Sequence, residues 1–215
     1  MDSPAIVRVA AVDPGKVNPA VWIGTVDFSA NKVKTEWGGA GTDITRPEAT
    51  ISENAVHMGE LIAFGPIDDF KAVAVETPST FNGKGAFVNV NAAVGAGVTY
   101  GYLRGCCVPN VFMSNYRTKG RAIEHFAEVL DITLEPHLPG SDKTTRAKNR
   151  LINKRNAKKV IIELLEFSED SVGLELLERH REKKDDIADA ILLACGLALD
   201  HMKLKKKKKA LQKKK

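Results

Sequence analysis

Residues 6–15, IVRVAAVDPG, decide the fold. Six β-branched or small apolar residues with one arginine make a buried strand, and Asp13-Pro14-Gly15 ends it in a turn. An acid at the carboxyl end of a buried strand is a candidate for chemistry, because ligands of open α/β sheets bind there. Working outward, residues 20–27 (AVWIGTVD) and the alternating 31–37 (NKVKTEW) predict two more strands on short connections, hence an antiparallel meander. Apolar positions 51, 55, 58, 61 and 62 predict a helix over 51–64. Residues 71–75 (KAVAV) predict a short buried strand running into Glu76-Thr77-Pro78. Then follow a helix over 88–105, a strand at 108–113 and a helix over 119–130. Residues 131–150 are expected as a polar linker, followed by helices at 154–167, 174–181 and 184–202. Strands separated by helices read as parallel crossovers. The expected fold is α/β, a mixed five-stranded sheet of three antiparallel and then parallel strands, with helices on both faces.

At 215 residues the chain has ample length for one core. A domain over 1–202 and a disordered poly-lysine tail over 203–215 are expected. The formal net charge is +5, but 203–215 holds nine lysines and no acid, so 1–202 carries −4. Within it, 141–160 carries eight basic residues against Asp142 alone, which leaves the remainder strongly acidic. An acidic body with a basic stripe suits a phosphate backbone held beside concentrated carboxylates. No apolar run is long enough to cross a membrane, and the short N-terminal apolar stretch does not read as a signal peptide. Three cysteines, two of them adjacent (Cys106 and Cys107), make no disulfide framework, and the expected setting is a reducing intracellular one.

Four acids stand out. Asp13 and Glu76 each end a strand; if those strands pair in parallel, both emerge at one sheet edge. Asp186 and Asp189 stand three apart at the start of the last helix and share a face. Asp185 is a fifth, turned about 100° aside. Carboxylates gathered together repel unless a cation neutralises them, and a hard divalent ion with oxygen ligands does so, Mg²⁺ first. Such a site activates water and stabilises the leaving oxygen of a phosphodiester. Taken singly, the aspartates also fit an acidic helix N-terminus, and Asp13 a turn former.

Three motifs, DPGKVNPAVWIG at 13–24, VAVETP at 73–78 and KKDDIADAILLA at 183–194, resemble those of the RuvC-like Holliday junction resolvases, in that family's order. The small-residue helix VNVNAAVGAGVTYGYL at 88–103 resembles it too. The basic end and the 131–150 segment are more similar to the viral and mitochondrial branches than to the bacterial one. The resemblance implies an RNase H-like fold, a homodimer, Mg²⁺ dependence with Mn²⁺ able to substitute, and paired nicks in four-way junction DNA. It implies Asp13, Glu76, Asp186 and Asp189 as metal-binding catalytic acids. Phe81, with Phe87 as a competitor, matches the aromatic that wedges into the junction. Lys16, Lys119, Arg121, Lys154, Arg155, Lys158 and Lys159 are the expected DNA contacts. Two other readings share these acids or this charge: an RNase H-like nuclease cutting RNA–DNA hybrids or single strands, and a branched-DNA binding protein that does not cleave.

Overall fold

The computed structural model describes residues 6–14, 19–46, 48–64, 72–77, 90–180 and 184–212. Strands β1 (Ile6–Asp13), β2 (Ala20–Asp27) and β3 (Lys32–Ala40) form the meander. Strands β4 (Ala72–Glu76) and β5 (Val111–Ser114) add in parallel on the other side of β1, giving the order β3-β2-β1-β4-β5. The mixed sheet is therefore the expected one. Its central strand β1 is antiparallel to β2 and parallel to β4, with Val12 level with Val75.

Alternation along β1 builds two cores, because successive side chains leave a strand on opposite faces. Val7, Val9 and Ala11 pack with Trp22, Phe126, Ile161, Leu164 and Ile191. This layer holds α3 (Tyr116–Val129), α4 (Lys143–Phe167), α5 (Ser171–Arg179) and α6 (Lys184–Gln212). Ala10 and Val12 pack the other way with Ile62, Val73, Val75 and Leu103, under α1 (Ile51–Ala63) and α2 (Val90–Gly105). Each fully buried Leu or Ile contributes roughly 1.5–3 kcal/mol relative to exposure. Helix α1 starts where Thr50 and Glu53 form a reciprocal capping box.

Three expectations are corrected. The segment 131–150 is not all linker: α4 begins at Lys143, eleven residues before the expected 154. Asp142 caps it, accepting from the Thr144 and Thr145 amides at 2.9 and 3.0 Å. Its first turns are polar and carry no apolar period, so periodicity misses them, yet they contain neither Gly nor Pro. Strand β5 begins at Val111 rather than 108, because Pro109 donates no amide and Asn110 turns the chain at φ 53°. Helix α6 continues to Gln212, ten residues past the expected end at 202. Lysine is a good helix former, and extending an existing helix needs no new nucleus.

Candidate functional site

The parallel pairing of β1 with β4 carries both strands to one edge, where Asp13 and Glu76 are their last residues. Strand β5 runs parallel to β4, and the Thr77 amide extends that ladder by donating to the Ser114 carbonyl. The turn after Ser114 therefore opens at the same edge. Asn115 caps α3 there, accepting from the Arg117 amide at 2.9 Å. That places Lys119, at the end of the first turn, over the two carboxylates.

Helix α6 brings the third acid. It crosses α3 closely at Gly196, where a Cβ would sit 2.1 Å from the Thr118 carbonyl oxygen. Only glycine permits this approach. Seven residues earlier on the same face stands Asp189. Lys119 Nζ lies 2.9 Å from Glu76 Oε1 and 2.7 Å from Asp189 Oδ2. The Lys119 and Glu76 side chains are 12% and 13% exposed, so this ion pair is largely removed from water.

The electrostatics follow from burial and crowding. Burial pushes the Asp13 carboxyl well above the usual carboxylate range, and Glu76 and Asp189 add to the rise while Lys119 opposes it. A hydrogen bond with Glu76 adds to the rise at Asp13. Asp189 is raised as well, by burial first, against the pull of Lys119. Burial disfavours the Lys119 charge, but Asp189, Glu76 and Asp13 outweigh it and hold the ammonium above its ordinary value. The donor set consists of hard carboxylate oxygens, which suits a divalent cation. Among the described residues, however, no three His, Cys, Asp or Glu side chains surround one point closely enough to hold an ion. The acids close on Lys119 instead.

Asp13, Glu76 and Asp189 are thus assembled from three elements. Asp186 lies one turn before Asp189 on α6 and is half-buried. Asp185 points elsewhere, into an ion pair with Lys154 of α4 that holds its carboxyl below the usual range against the effect of burial. Lys119, expected as a DNA contact, belongs to the carboxylate cluster. The observed topology accounts for it: β5 is the next parallel strand, so the helix leaving it starts over the same acids. Arg121 turns away from the edge, pairing with Asp200 and donating to Thr118 Oγ1 at 3.3 Å. The basic stripe divides: Lys154 pairs with Asp185, Arg155 with Glu135, and Lys159 donates to the Thr133 carbonyl at 3.0 Å. Arg155, Lys158, Lys159, Ile162 and Glu163 line one surface depression. Lys16, Phe81 and Phe87 lie outside the described residues.

A five-stranded mixed sheet of this order, with the last helix crossing an acidic edge, is the RNase H-like fold. The structure is similar to that of Thermus thermophilus RuvC, at 16% sequence identity and a TM-score of 0.54, over 91% of this chain and 96% of that one. It is also similar to a fowlpox virus resolvase, solved in complex with its substrate Holliday junction DNA, at 17% identity and a TM-score of 0.49, over 90% and 98% of the two chains. No family model matches the chain. No curated protein sequence matches it either.

Proposed function

We propose that this chain is a Holliday junction resolvase, a structure-selective endodeoxyribonuclease that makes paired nicks in four-way DNA by divalent-metal-assisted hydrolysis. The observation that carries the reading is the convergence of Asp13, Glu76 and Asp189 on one sheet edge, from β1, β4 and α6. The three motifs and the RuvC-like fold support it.

In this reading Asp13, Glu76 and Asp189, with Asp186 one turn away, hold Mg²⁺ or Mn²⁺. The ion, when bound, lowers the pKa of a coordinated water and offsets charge on the leaving oxygen. The chain's own part is to keep the acids together: β1 and β4 fix two of them by register, and α6 delivers the others. Lys119 supplies positive charge beside the place where a phosphodiester must lie. Lys154, Arg155, Lys158 and Lys159, with Lys16, contribute backbone contacts, and Phe81 the wedge at the crossover.

Paired nicks require two active sites, and a homodimer supplies them. Helix α2 offers a face for it. Gly97, Gly101 and Gly105 stand at four-residue spacing with open space beside each, and Val90 and Val94 are exposed on the same side. Sedimentation equilibrium should give twice the monomer mass, and Gly101→Glu should reduce it to one.

The deciding experiment incubates the protein with a synthetic four-way junction in Mg²⁺ or in EDTA and maps the cuts. Symmetrical nicks near the crossover, lost in EDTA, are the expected result. Cleavage of an RNA–DNA hybrid or single strands in preference to the junction would replace this reading with another RNase H-like nuclease. Tight junction binding without any cleavage in Mg²⁺ or Mn²⁺ would make the protein a binding module.

A further inference from the structure

The segment between α3 and α4 forms a strap held along α4 by side-chain hydrogen bonds. Ile132 and Leu134 of the strap pack on the core, so Thr133 and Glu135 face outward. Three asparagines of α4, Asn149, Asn153 and Asn156, lie at helical spacing and hold the strap along its length. Asn156 accepts from the Glu135 amide at 2.9 Å and donates to the Glu135 carbonyl at 2.9 Å. Asn149 treats Leu138 the same way, at 2.8 and 3.0 Å. Asn153 meets the His137 ring at 2.6 Å. Two amide side chains thus pair backbone groups as a neighbouring strand would, and Pro136 stiffens what lies between.

This clamp fixes the backbone of Glu135 from both sides, and the carboxylate then reaches Arg155 with both oxygens. Arg155 Nε donates to Oε2 at 2.7 Å and Nη2 to Oε1 at 2.6 Å. A guanidinium fork binds a carboxylate and a phosphate with the same two-point geometry. Arg155 shares its surface depression with Lys158 and Lys159, and Lys159 is held by a carbonyl rather than an acid. The pair itself is open to water, with Arg155 57% and Glu135 43% exposed. An exposed pair of this kind adds little stability and opens cheaply.

We infer that Glu135 is an internal phosphate surrogate: it occupies the Arg155 fork in the free protein and yields it to a nucleic-acid phosphate, so that it determines how selectively the α4 stripe engages DNA. A phosphate reaching Arg155 must displace Glu135 and tolerate that carboxylate nearby. DNA that also contacts Lys158 and Lys159 offsets this penalty, and DNA touching Arg155 alone does not. The inference rests on the proposed DNA-binding function and specifies one residue of it.

The test uses the full chain, a fluorescent four-way junction and a duplex of the same arm sequence, with Ca²⁺ in place of Mg²⁺, over a salt series. Glu135→Gln keeps the strap, because the Asn156 clamp holds only main-chain atoms. It is expected to tighten binding roughly two- to fivefold, the worth of an exposed pair. The log–log salt slope should steepen by up to about 0.9, the share of one phosphate contact. In an Arg155→Gln background the same change should do nothing. Wild-type affinity and slope in Glu135→Gln would overturn the inference. So would a gain that survives in Arg155→Gln, which would mark a general effect of net charge. Failure of the wild-type protein to bind either DNA would overturn the functional reading and this inference with it, whereas wild-type binding with an inert Glu135→Gln removes only the latter.

Discussion

Lys119 Nζ stands 2.7 Å from Asp189 Oδ2, joining the first turn of α3 to the second turn of α6. The same nitrogen lies 2.9 Å from Glu76, so one buried ammonium ties the end of the sheet to two helices. Lys119→Met would leave Glu76 and Asp189 facing Asp13 with no cation between them. Removing one member of a mostly buried pair is costly, about 3–5 kcal/mol when burial is complete. The metal-free variant is expected to melt well below the wild type at neutral pH, and Mg²⁺ should restore more stability to it than to the wild type. A thermal melt with and without Mg²⁺ measures both effects; equal melting temperatures would contradict the pairing.

The raised carboxyls of Asp13 and Asp189 make the metal-free protein sensitive to pH. Their folded-state values lie above the ordinary range, near 4, which they recover on unfolding. Between those limits the folded chain binds more protons than the unfolded one, so stability falls as pH rises through the window. In EDTA the wild type should therefore melt higher at mildly acidic pH than at neutral pH, other carboxylates acting in the opposite sense. Asp13→Asn removes part of the dependence. The measurement is the difference between the two pH profiles, and parallel profiles would show that Asp13 is not perturbed.

Catalysis should separate Asp189 from its neighbour Asp185. Asp189 meets Lys119 at the edge, whereas Asp185 pairs with Lys154. Asp13→Asn, Glu76→Gln and Asp189→Asn are expected to lower junction cleavage by roughly 10²-fold or more, the scale of removing a preorganised electrostatic group, while junction binding persists. Asp185→Asn should retain most activity. Single-turnover cleavage of a labelled junction reads this, and an inactive Asp185→Asn beside an active Asp189→Asn would reverse the assignment.

Gly196 sets the distance between α3 and α6. A methyl group there meets the backbone of Thr118, which has no flexible end to move aside. Gly196→Ala should displace α3 from α6 and cost about 1–3 kcal/mol, as overpacking does. Since Lys119 follows Thr118, Lys119 would also lose its reach to Asp189. Chemical denaturation gives the stability loss. Gly120→Ala on α3, with nothing near its Cβ, is the matched control and should not lose stability, since alanine suits a helix interior better than glycine.

The thiols should react in order of burial. Cys195 is fully buried, and burial pushes its thiol up to about 12, while Cys107 is exposed. A disulfide reagent at neutral pH is expected to label Cys107 quickly and Cys195 only on unfolding. Rapid labelling of Cys195 in the native protein would mean that α6 detaches from the sheet.

Local pattern alone determined most elements and three of the assembled site residues. Strands announce themselves by period and turn residues, as IVRVAAV before Asp-Pro-Gly does, and an acid placed directly after a buried run is visible without coordinates. That is why Asp13, Glu76 and Asp189 could be named from their positions. Polar helices escape such reading: the first turns of α4 depend on the Asp142 cap and on the strap bound by Asn149 and Asn156, and neither leaves an apolar period. Partner choice among charges escapes it altogether. Nothing in the order of residues says that Lys119 takes the acids while Lys154 takes Asp185 and Arg155 takes Glu135, because each lysine or arginine looks alike along the chain. The tertiary structure decides it, for Lys119 through the parallel register of β1, β4 and β5 and the close crossing at Gly196, since Coulombic pairing depends on distances of a few ångströms between residues 20 to 70 positions apart.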